Sequence, residues 1–126
     1  MEKSLSEEIR NFILEKIESV GHLEVLRLLV DHESRAWSAQ EVAQELRTNS
    51  SLAQSQLDSL VYHRLVLRDP SGNFIFDSAN ELDFGNVHEL LDIFRNRRRV
   101  IISFIYSRPA EKVRNLADAF KIRKED

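Results

Sequence analysis

Four histidines, His22, His32, His63 and His88, are the side chains here best suited to acid–base or metal chemistry, and their spacing argues against both. His22 and His32 stand ten residues apart near opposite ends of one apolar stretch, and no pair has the i, i+4 spacing of a helix-borne metal site. There is no cysteine, which removes disulfides, thiolate metal sites and cysteine nucleophiles. Gly21, Gly72 and Gly85 are the only glycines and make no phosphate-cradling loop. The serines fall mostly at helix starts. We therefore expect no enzyme, no cofactor and no metal, and look to binding chemistry instead.

Charge supplies the first binding signal. The chain of 126 residues carries a net charge of −3, but Arg95 to Lys124 holds ten Lys/Arg against Glu111 and Asp118. That leaves a balance of −11 on the rest. An acidic body with a basic end points to an anionic partner or to the protein's own acidic face. The run Arg95-Asn96-Arg97-Arg98-Arg99 radiates in several directions on a helix, so its members cannot all enter one groove. It can dock on phosphates, pair with acids such as Glu7, Glu8, Glu15 and Glu18, or remain a solvated face.

The elements that position these residues read as mostly helical. Ser4 with Glu7 forms a capping box, and Ile9, Phe12, Ile13, Ile17 and Val20 make an apolar stripe ending near Gly21. His22 to His32 is apolar on so many sides that it reads as a central buried helix. Ser38 and Glu41 cap a third helix, Ala39 to Arg47, with Trp37 packing back as a hydrophobic staple. Thr48-Asn49-Ser50 is a tight turn. Ser51 and Gln54 then cap a fourth helix, Leu52 to about Arg64, burying Leu52, Leu57, Leu60 and Val61.

Leu65 to Arg68 and Asn73 to Phe76 flank Asp69-Pro70-Ser71-Gly72, whose Pro and Gly suit a type I turn in a β-hairpin. Alternation should turn Phe74 and Phe76 to one face and Ile75 to the other. After a loop from Asp77 to Gly85, Asn86 and Glu89 start a helix from Val87 to about Tyr106, which Pro109 ends or kinks near Ser107. A last amphipathic helix spans Pro109 to Lys121.

The order helix, short extended segment, helix, tight turn, helix, hairpin resembles the winged helix-turn-helix superfamily over His22 to Asp77, less than half of the chain. The resemblance rests on Thr48-Asn49-Ser50, on SSLAQSQLDSLVYHRL and on LVLRDPSGNFIF. It implies a mostly α winged helix-turn-helix fold with a two-stranded β-wing, whose helix after the turn lies in the DNA major groove. On that reading Gln54, Ser55, Gln56 and Ser59 contact bases, since Gln pairs bidentately with adenine. Ser51, Tyr62, Arg64, Arg68, Arg97, Arg98 and Arg99 contact phosphates. The helix is poor in Lys/Arg, with Asp58 its sole full charge before Arg64, and this favours the alternative of a protein-interaction module without direct DNA binding.

Three segments follow: an N-terminal helix at 1–21, the winged-helix domain at 22–77 and a C-terminal helical extension at 86–126. Apolar side chains on the added helices exceed what the central segment needs to close its core. We therefore expect a homodimer, with Phe12, Ile13, Phe94, Ile101, Ile102 and Ile105 at its interface and Ile9, Ile17, Leu90, Leu91, Phe104 and Phe120 nearby. The expected function is a cytoplasmic DNA-binding transcriptional regulator acting as that dimer. The apolar run from Val100 to Ile105 is too short to span a bilayer, and the polar N-terminus lacks the features of a signal peptide.

Overall fold

Side-chain caps set where the helices begin in the computed structural model, which describes residues 5–107. Helix α1, Glu7–Lys16, starts where Ile9 N–H donates to Ser6 Oγ at 3.1 Å. Ser6, not Ser4, is the cap, and Glu7 and Glu8 sit favourably in the first turn beside the positive end of the helix dipole. The backbone leaves helical geometry at Ile17, so α1 does not reach Val20. Ser19 starts α2, Val20–Asp31, by accepting from His22 N–H at 3.2 Å. Gly21, expected to end the first helix, thus lies in the first turn of the second. There it leaves room for α4: a Cβ at position 21 would overlap the Gln56 side-chain amide.

Helix α3, Ala39–Leu46, has the expected reciprocal capping box, Glu41 N–H to Ser38 Oγ at 3.1 Å and Ser38 N–H to Glu41 Oε1 at 3.0 Å. It closes on Arg47 in the left-handed region (φ 59°), and Thr48 N–H returns to Ala43 O. The next cap is Asn49, whose Oδ1 accepts from Leu52 N–H at 2.8 Å, so α4 runs Ser50–Tyr62. The cap stands two residues before Ser51, and Leu52, in the first turn of α4, is 46% exposed instead of buried. Arg64, also left-handed (φ 66°), ends this helix short of the expected boundary.

Strands β1, Val66–Arg68, and β2, Phe74–Phe76, pair antiparallel in the register Val66↔Phe76, Leu67↔Ile75, Arg68↔Phe74. The turn is held by Gly72 N–H to Asp69 O and by Asp69 Oδ1, which accepts from Ser71 N–H and Asn73 N–H. Gly72 has φ 87°, where a side chain would be strained. Phe74 and Phe76 are buried and Ile75 half-buried, as the alternation requires. Trp37, expected only to pack as a staple, also bridges to Phe74 through two backbone hydrogen bonds.

Helix α5, Glu81–Asn96, begins five residues earlier than Asn86 and absorbs Gly85. Asn80 stands at its start and donates from Nδ2 to Arg64 O and to Asp83 Oδ2. The helix breaks at Arg97 (φ −137°, ψ 56°), and a sixth helix, α6, covers 98–107, so the continuous helix expected from Val87 to Tyr106 is two. The expected helix from Pro109 to Lys121, with Phe120, lies outside the described residues.

One core unites all of this. Ile9, Phe12, Ile13 and Ile17 of the N-terminal segment, Leu23, Leu26, Leu57, Leu60 and Phe74 of the central one, and Leu90, Phe94, Ile101 and Ile105 form a single buried cluster. Helix α1 packs on α5, while α2 and α3 both pack on α4. Each such side chain contributes ~1.5–3 kcal/mol on burial. The apolar surplus that argued for a dimer is therefore used within one chain: Phe12, Ile13, Phe94, Ile101 and Ile105 are at most 4% exposed, and only Ile102 of the expected interface is partly open. Among the described residues no helix is long and apolar enough to cross a membrane.

Candidate nucleic-acid interface

The face of α4 turned to solvent follows from its packing. Ala53, Leu57 and Leu60 point into the core, which leaves Ser51, Ser55, Asp58 and Tyr62 exposed in one stripe at i, i+4, i+7 and i+11. Gln54 is half-buried beside this stripe and donates to Asp58 Oδ1 at 2.9 Å. Tyr62 is 81% exposed, with its ring edge-on to His63.

Two expected base contacts lie elsewhere. Gln56 is only 7% exposed and sits against Gly21, so its amide does not belong to the outer stripe. It occupies the core side because it falls three residues after Ala53 and four before Leu60. Ser59 donates to Glu18 Oε2 at 3.0 Å, and His63 Nε2 lies 3.4 Å from the same oxygen. Glu18 also faces His22 at 3.8 Å. The Ser59 hydrogen bond and the two histidines hold the Glu18 carboxyl below its ordinary range, against a smaller opposing effect of burial. Ser59 is thus tied to a carboxylate, which disfavours an approaching phosphate.

The arginines divide into two groups. Arg95 pairs with Asp31 at 2.8 Å, and Arg98 pairs with Glu24 while stacking over Phe94 at 4.3 Å. Arg27 reaches Glu24 at 3.0 Å and Asp31 at 3.7 Å. Burial raises the Glu24 carboxyl, but hydrogen bonds from Arg98 and Arg27 outweigh it and the net shift is downward. The expected phosphate-binding run at 97–99 is therefore partly engaged with α2: Arg97 caps the break between α5 and α6, and Arg99 is exposed.

The second group has no carboxylate partner among the described residues: Arg10, Arg47, Arg64, Arg68 and Arg99. Arg47 lies at the turn before α4, Arg64 just after its end and Arg68 on β1, all three exposed. Arg64 and Arg68 share the rim of a groove of about 570 Å³ with Val61, Leu67 and Asn80. Sequence reasoning missed Arg47; its signal is its place directly after α3, where a left-handed residue commonly closes a helix.

No group of His, Asp and Glu among the described residues could hold a metal ion. The arrangement offers polar hydrogen-bonding side chains on one helix, with unpaired cations at both its ends and on the adjoining hairpin. No family model, curated protein or solved structure matches the chain.

Proposed function

We propose that the chain is a winged helix-turn-helix DNA-binding regulator of transcription, with α4 as the helix entering the major groove and the β1–β2 hairpin as the wing. The observation that carries this reading is the placement of Arg47, Arg64 and Arg68, exposed and without carboxylate partners among the described residues, around the polar stripe of α4. Arginines not neutralised by the protein's own acids are available to neutralise phosphates and release counterions. Ser55 and Gln54 are the base-contact candidates that keep access to the groove. Ser51 and Tyr62 donate to the backbone. Two copies on paired half-sites would meet through surfaces other than the buried Phe12, Ile13, Phe94, Ile101 and Ile105.

A second reading, a protein-interaction module, is favoured by Asp58 in the middle of the stripe and by the exposure of Leu52 (46%), Leu67 (49%) and Tyr62 (81%). Fluorescence anisotropy with a random-sequence duplex separates the two. DNA binding predicts an affinity that falls log-linearly with salt, with a slope of about −0.9 per neutralised phosphate. No binding at low salt rejects DNA and favours the protein partner.

A further inference from the structure

Three arginines share two carboxylates where α2 meets the break between α5 and α6. Arg27 reaches Glu24 at 3.0 Å and Asp31 at 3.7 Å, Arg98 also pairs with Glu24, and Arg95 also pairs with Asp31 at 2.8 Å. The shared acids draw the guanidinium groups together and leave one positive charge over within the group. Arg27, Arg95 and Arg98 line, with Phe94, a small cavity of about 270 Å³ that has no acid among its described lining residues.

Hydrogen-bonding capacity is left over as well. A guanidinium carries about five N–H donors, and each of these three makes one hydrogen bond, through an Nη to a carboxylate. Arg27 Nε is buried with no acceptor among the described residues, an unmet need that weighs more on a charged group than on a neutral one. The Nε–H of an arginine and its neighbouring Nη–H form a parallel fork that fits both oxygens of a carboxylate. Glu24 takes only the Nη2 side of that fork on Arg27, which leaves it half used. The side chains of Arg95 and Arg98, 44% and 51% exposed, can shift to admit a ligand without disturbing the core.

We propose that this cavity binds a small organic monocarboxylate, its carboxylate forked onto Arg27 and held by Arg95 and Arg98, its apolar end against Phe94. One negative charge matches the one cation left over, and a dianion would exceed it. The volume falls just under the roughly 300–1,000 Å³ usual for small-molecule sites, so the ligand is a single ring or a short chain. The inference is independent of whether α4 reads DNA, because none of Arg47, Arg64 and Arg68 lines this cavity.

The test is an ¹⁵N-resolved NMR titration of the full chain that follows the arginine Nε–H signals. The probes are benzoate, benzamide as its uncharged isostere, and inorganic phosphate, all at one ionic strength set with sodium chloride. The expected result is saturable, millimolar-range shifts of the Arg27 Nε–H and the Phe94 backbone amide with benzoate, at least about tenfold weaker with benzamide and with phosphate. Arg27→Lys keeps the charge beside Glu24 and removes the fork, so benzoate binding read at the Phe94 amide should weaken at least about tenfold. Arg98→Gln should weaken binding in the same direction, and it serves where the lysine variant does not fold. No saturable shift at the Arg27 Nε–H in the wild type, or benzamide bound as tightly as benzoate, overturns the proposal. Phosphate bound as tightly as benzoate overturns the assigned chemistry, and undiminished benzoate binding by Arg27→Lys overturns the fork.

Discussion

Trp37 and Phe74 exchange two backbone hydrogen bonds, Trp37 N–H to Phe74 O at 2.8 Å and Phe74 N–H to Trp37 O at 2.7 Å. This bridge fastens the segment before α3 to the second strand of the hairpin. The Trp37 side chain, 3% exposed and covered by Arg35 at 3.6 Å, packs in the same core as Val42 and Phe74. Trp37→Ala should destabilise the fold by about 3–5 kcal/mol. Ser71→Ala at the exposed turn, which keeps the backbone bond to Asp69, should stay within about 0.5 kcal/mol of wild type. Urea unfolding followed by circular dichroism checks both, since Trp37 is the sole tryptophan and its fluorescence is lost with it.

Arg47 and Arg64 both hold left-handed backbone, at φ 59° and 66°, which side chains adopt at a cost of about 1 kcal/mol or more. Glycine relieves that cost, so Arg47→Gly should raise stability by up to about 1 kcal/mol. The same change should weaken duplex DNA binding. Arg47→Val, β-branched in the same geometry, should lower both. Thermal melts and anisotropy on the same samples separate the two effects, and a glycine variant that loses stability would refute the strain argument.

Glu18 links the α1–α2 connection to α4 through Ser59 and His63, and its carboxyl is held below the ordinary value of 4.5. A depressed folded-state value means that the contribution is present above the unfolded value and is lost as pH falls through the lower folded one. Glu18→Gln should therefore lower the melting temperature at neutral pH, with the difference from wild type shrinking as pH falls below about 5, so that the acid limb of the variant is flatter. A parallel acid limb in the variant would remove Glu18 from the cause.

Arg98 and Arg95 fasten the end of α5 and the start of α6 to α2 through Glu24 and Asp31. These are half-exposed pairs, so a double-mutant cycle on Arg98→Ala and Glu24→Ala should give a coupling of only about 0.2–1 kcal/mol. A coupling near zero would mean that the stacking of Arg98 on Phe94 and the buried apolar contacts alone hold the α5–α6 break in place.

The hairpin was readable because Pro70 and Gly72 fit one turn geometry and the strands alternate, and α3 because Ser38 and Glu41 form a complete box. The start of α1 was misplaced by two residues because Ser4 has a glutamate three positions on, whereas the cap is Ser6, which accepts from the backbone N–H of the apolar Ile9 and so has no reciprocal carboxylate to mark it. The break at Arg97 carries neither Pro nor Gly, so no local signal marks it. Gln56 shows how residue type can mislead. Its spacing from Ala53 and Leu60 puts it on the core side, but its polarity suggested the outer face. The apolar residues at the two ends of the chain looked like a surplus because nothing in the sequence shows that α1 meets α5 in space.

The central claim is that the cations serving DNA are the unpaired ones around α4 and the hairpin, and not those braced against α2. The most direct measurement is the salt dependence of binding to a random-sequence duplex, compared between wild type, the triple alanine variant Arg47/Arg64/Arg68 and the double alanine variant Arg95/Arg98. We expect the first variant to lower affinity strongly at low salt and to reduce the log–log slope by up to about 1 per phosphate-contacting arginine, with a smaller change in the second. A first variant that binds with the wild-type slope, or a larger loss in the second, would contradict the account.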